Sequence, residues 1–142
     1  MSDESVPSSL NTPQHFFAAA QVLADELGHL LQHVSPIATI NSAHRCAYFA
    51  ARAALLLRGI NLNEYYNESQ VKDTFIKEYI ESGILPKRYA LLIEELHRLF
   101  VANEKGDLEE LIAPGVAEKA VDNAMQILIV VSGLISQASN GP

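Results

Sequence analysis

The chain has no tryptophan, one cysteine, and only 10 lysines and arginines against 17 acidic residues. Each shortage closes a class of function. With Cys46 alone, no intramolecular disulfide forms and no cysteine pair offers a metal or redox centre, which fits a reducing compartment. Its place in an alanine-rich stretch reads as a small buried hydrophobe. A formal charge of −7 argues against a general polyanion binder, because phosphate recognition depends on clustered Lys and Arg. Gly-rich phosphate loops and internal repeats are also missing, and no cofactor is expected. The opening residues MSDESVPSSLNTPQ lack the basic start and apolar core of a signal or anchor, so the expected location is the cytoplasm.

What remains is a chain of 142 residues, 49% hydrophobic, sized for one globular domain with one core. Residues 1–11 have the composition of a flexible tail, and the helical domain is expected over 12–142. The stretch from Ser35 to Ile60 organises the domain as its central helix. Ser35 caps it, Pro36 fits the first turn where its missing N–H costs nothing, and Gly59 lets it stop. One stripe, Ile37, Ile40, His44, Ala47, Ala51 and Ala54, has the spacing of a buried seam. A second stripe, Asn41, Arg45, Tyr48 and Arg52, is polar and is the candidate binding face.

Around it, Thr12 and Pro13 open an earlier helix with Phe16, Ala20, Leu23, Leu27, Leu30 and Val34 inward. His29 and His33 stand four apart on that helix, a spacing that suits two metal ligands. No HExxH pattern accompanies them, and a structural site needs four ligands. The reading preferred is surface histidines near a helix C-terminus, with no metal. After the central helix, NLNEYYNES reads as a loop carrying Tyr65 and Tyr66. Asn67 and Gln70 make a capping box for a helix with Val71, Phe75, Tyr79 and Ile80 inward, ended by Ser82-Gly83. Pro86 opens the next, with a core stripe from Tyr89 to Phe100, and Gly106 breaks it. The last helix begins near Pro114. Its Met125 to Ile135 run is apolar nearly all round but far shorter than the roughly twenty residues that cross a bilayer, so no membrane is expected. Such a helix is buried on most sides or turns a second face to another subunit. Its β-branched residues also keep a strand open.

Three segments resemble the HEPN family, in particular its small prokaryotic members made of one helical bundle. Ala50-Ala51-Arg52-Ala53-Ala54-Leu55-Leu56-Leu57-Arg58-Gly59 is similar to that family's central-helix signature. Ser82-Gly83-Ile84-Leu85-Pro86-Lys87 resembles its helix-connecting turn, and Arg98-Leu99-Phe100 resembles the approach to its active motif. Together they cover Ile40 to Asp107. The resemblance implies an all-α, up-and-down bundle of about five helices with HEPN-like connectivity, forming a homodimer. It also implies a nucleotidyltransferase-type protein partner in a toxin-antitoxin-type system.

Many relatives are ribonucleases that use an Arg, a spacer of four to six residues and a His. That motif is absent here, since Arg88 and His97 have eight residues between them. The small bacterial branch shows an Arg followed by an Asp-Tyr pair. Asn103 stands here in place of that Arg and Leu108 in place of the Tyr, so only Asp107 matches. His44-Arg45 occupy positions where relatives carry two aromatics.

Two function classes follow. In the first, the chain is a binding module that has lost the ribonuclease motif and acts on a protein, a nucleotide or RNA. In the second it is a toxin-like ribonuclease with a relocated site, in which His44, Arg45 and Tyr48, with Asp107, are the catalytic candidates. Those three place an imidazole, a guanidinium and a phenol within one helical turn, the inventory for contacting a phosphate and moving a proton. The competing structural reading packs His44 in the seam and pairs Arg45 and Arg52 with Glu94 or Glu95.

Overall fold

A computed structural model describes residues 12–61 and 67–140, which contain helices and no strand. The expected flexible tail and the Tyr65–Tyr66 loop lie outside the described residues. Helix α1 spans Pro13–His33, α2 Pro36–Leu57, α3 Glu68–Phe75, α4 Arg88–Glu104, α5 Leu108–Leu111 and α6 Val116–Asn140. Among the described residues the result is an all-α bundle of six helices, α5 being a single turn that no periodicity in the sequence announces.

The starts are set by side chains placed as expected. Thr12 accepts from the His15 N–H, and Ser35 accepts from the Ala38 N–H while Pro36 enters the first turn. Asn67 and Gln70 satisfy each other's backbone N–H groups in a full capping box. Glycines in the left-handed region close the ends, Gly59 at φ 77° after α2 and Gly106 at φ 75° after α4.

Beyond α3 the chain continues as a π-helical segment, Ile76–Glu81. Val71, Phe75 and Tyr79 are all buried, and successive steps of four would drift off one face of a regular α-helix. The wider π turn holds them together. Tyr79 then donates its hydroxyl to the Ala54 carbonyl at 2.5 Å, one of the carbonyls that α2 leaves without an intrahelical donor at its end. Pro86 begins a turn, with the Tyr89 N–H bonded to its carbonyl, and the regular helix starts two residues later at Arg88.

Helix α2 touches all five others. Its alanines explain how. Ala43, Ala47, Ala50, Ala51, Ala53 and Ala54 are at most 1% exposed, so the helix is buried on more than the one expected seam. Small side chains let α1 and α6 approach its backbone from two sides while α3 and α4 close a third.

Helix α6 is a helix throughout, which removes the strand alternative. Ala120, Ala124, Ile127, Leu128 and Val131 pack inward, yet Ile129 is 66% exposed. Within Val116–Ser139 a stretch of 18 residues has a mean hydropathy of at least 1.2 and is one-third buried, so by length and composition alone the helix is long and apolar enough to cross a membrane. The sequence expectation measured only the run from Met125 to Ile135. The continuous helix reaches well beyond it on both sides. Core helices meet the same measure, and α6 packs on α1, α2, α4 and α5.

Candidate functional site

His44 and Arg45 are neighbours in the chain, but a helix turns about 100° per residue, and the structure sends them different ways. His44 is 6% exposed and lies face to face with Phe100 of α4, ring centroids 4.3 Å apart at 12°. His97, one turn before Phe100, brings its ring to 6.0 Å from His44. Both Nδ1 atoms are buried without a hydrogen-bond partner among the described residues. Burial, and then the neighbouring His97, lower the His44 pKa to about 4. Burial also lowers that of His97, with Lys72 adding to the effect. The pair is therefore neutral at physiological pH. A cavity with room for about one water, ≈ 10 Å³, adjoins it, lined also by Tyr48, Glu68 and Lys72.

The polar stripe is built differently. Arg45 is exposed, its guanidinium 5.8 Å from the Phe49 ring centroid. Arg52 lies 4.4 Å over Phe16 of α1 and reaches the Tyr48 hydroxyl at 3.5 Å. Phe16 and Phe49 stack at 6.1 Å, and Tyr48 meets Phe49 edge-on at 5.4 Å. The two arginines thus flank an aromatic cluster joining α1 to α2, an arrangement stabilised by cation–π attraction. Asn41 faces away from this cluster toward α4 and accepts a hydrogen bond from the Asn103 amide at 3.1 Å.

Tyr48 is the member common to both groups, lining the His44 cavity and accepting from Arg52. Asp107 is in neither. It is exposed and lines a wider groove of ≈ 390 Å³ between α4 and α5, shared with His97, Arg98, Lys105 and Glu110. The structure brings His44 and Tyr48 together and leaves Arg45 and Asp107 apart from them.

The acidic partners expected for the stripe are engaged elsewhere. Glu94 pairs with Lys72 at 3.1 Å, and Glu95 pairs with Arg98 at 2.7 Å. Burial opposes the charge on Lys72, but its bonds to Asp73 and Glu94 prevail and hold its pKa above the ordinary value. Arg98 also bonds Glu110 of α5, and hydrogen bonds to both carboxylates hold its guanidinium firmly charged.

His29 and His33 sit with ring centroids 5.1 Å apart on the exposed face of α1. Among the described residues no three His, Cys, Asp or Glu side chains gather as a metal-holding group. Sequence reasoning missed the contact of His97 with His44. The available signal was that His97 follows Leu96 and precedes Phe100 on the stripe that α4 turns inward. Compared with family models, curated proteins and solved structures, the chain matches none.

Proposed function

We propose that the chain is a HEPN-like module that lacks the ribonuclease motif and works by binding a protein or a nucleotide. The separation of His44 from Arg45 supports this reading most directly. Cleaving RNA requires a base at the 2′-hydroxyl and a cation at the phosphate, acting on the same few atoms. Here the imidazole is neutral and packed on Phe100, while the guanidinium lies on an aromatic ring of the outer face. Asn103, at the motif position, is committed to Asn41.

In this reading the chain is cytoplasmic and pairs with a second copy through the late apolar helix; the alanine-rich surface of α2, expected to share in that contact, is buried inside the bundle instead. The exposure of Ile129 on α6 supports the contact. A nucleotidyltransferase-type protein in a toxin-antitoxin-type system is the proposed partner. The ligand face is Arg45, Tyr48 and Arg52, whose cations and rings offer phosphate contact and base stacking; Asn41, expected on the same face, turns to Asn103 instead. The alternative, a relocated ribonuclease at His44 and Arg45, is favoured by Tyr48, which links the imidazole's cavity to the arginine face.

Titration with a labelled ribonucleotide at low salt tests the binding reading. Saturable binding by the native chain, lost in the Arg45→Ala, Arg52→Ala variant with helicity intact, is the expected result. Equal binding by both would remove this face from the proposal.

A further inference from the structure

Among the buried side chains described, His44 is the one imidazole, a group whose ordinary pKa is 6.5. It sits in the contact of α2 with α4, and its neighbour across that contact is a second imidazole. Neither Nδ1 has a partner among the described residues, so no hydrogen bond there stabilises one protonation state over the other. The rest of the α2 surface is different in kind. Toward α1 and α6 it buries alanines and leucines, which no change of pH between 4 and 7 alters.

We infer that His44 and His97 form an acid-sensitive latch between α2 and α4, closed while both rings are neutral and opened when one takes a proton. A charged His44 would lie buried against the Phe100 face, with His97 beside it and Glu68 and Lys72, opposite in charge to each other, lining the same cavity. A charged His97 would face His44 and the Lys72 ammonium.

The surrounding charges determine the order of events. On α2, Tyr48 borders the cavity and is neutral in this range. On α3, Glu68 and Asp73 favour a proton on His97 while Lys72 opposes it. On α4, Glu94 favours it as well, but Glu94 and Asp73 are already bonded to Lys72. On the groove side His97 shares its surroundings with Arg98 and Lys105, and with Asp107 and Glu110 near α5. His97, the less buried ring, takes the first proton, and a second charge on His44 is then opposed by burial and by the charge on His97. Opening would free the inward face of α4, including Leu96 and Phe100, as an apolar surface that exists only under acid.

Amide hydrogen exchange of the full chain at pH 7 and pH 5, corrected for the intrinsic pH effect, tests the latch. A ring that titrates near 4 when closed and 6.5 when open weakens closure about twentyfold over that interval. Protection over α4 should fall by that factor while α1 and α6 keep theirs. The His44→Phe, His97→Phe variant should show no fall. Unchanged protection over α4, or equal loss over all helices, overturns the proposal, as does acid opening that survives in the variant. Should the variant fail to fold, imidazole resonances of the native chain decide. Both rings must stay neutral until the pH at which α4 opens, and a ring protonated while α4 is still protected contradicts the latch.

Discussion

His44 of α2 lies flat against Phe100 of α4, 4.3 Å between centroids. The contact joins two residues more than fifty positions apart in the chain, and it removes the imidazole from water. Truncation by Phe100→Ala should cost about 2 to 3 kcal/mol, toward the lower end for an aromatic because Phe100 is half-buried. With its cover gone, the His44 pKa should rise from about 4 toward the ordinary 6.5. Urea unfolding and imidazole resonance titration read the two effects. A stable variant with an unmoved His44 would mean the ring is buried by something other than Phe100.

Tyr79 supplies the donor that the Ala54 carbonyl lacks at the end of α2. Tyr79→Phe keeps the ring and removes the donor, leaving a buried acceptor unpaired, at a cost of about 1 to 3 kcal/mol. Equilibrium unfolding should show the loss in midpoint with little change in slope. A neutral substitution would mean that water replaces the hydroxyl.

Ala51 has no exposed surface and lies in the second half of α2, among further buried alanines. Ala51→Phe has no space to enter and should destabilise the fold by about 1 to 3 kcal/mol. Thermal unfolding would show the drop, and an unchanged midpoint would contradict the close approach of the helices.

Burial pushes the Cys46 thiol up to about 12, so at pH 7 to 9 it remains protonated. A thiol reagent should modify it only as fast as the chain opens, and at the free-thiol rate once urea unfolds the protein. Prompt reaction in the native state would show that the cysteine is accessible.

The helical architecture was legible because the chain punctuates it locally. Thr12, Ser35 and the Asn67–Gln70 pair cap from within four residues, and the apolar stripes of α2 and α4 repeat at helical spacing. The π-helical turn was not legible, since it arises from tertiary demand, the need to bury Val71, Phe75 and Tyr79 against one neighbour. Nor was α5, a single turn held by Leu111 in the core and Glu110 on Arg98. At the site, the sequence could propose His44, Arg45 and Tyr48 from one helix alone. What decides their chemistry is across the bundle: Phe100 and His97 against His44, Phe16 under Arg52, and Asn103 on Asn41. Periodicity says which face a residue takes, but not which side chain of another helix meets it there.

The central claim is that His44 and Arg45 do not converge as base and cation, and incubation with RNA tests it most directly. Purified protein is mixed with structured and single-stranded RNA at low salt, where weak phosphate contacts are strongest, beside the His44→Ala, Arg45→Ala variant. The account predicts no cleavage above background by either. Cleavage by the native chain that the double substitution abolishes, with helicity retained, would contradict it.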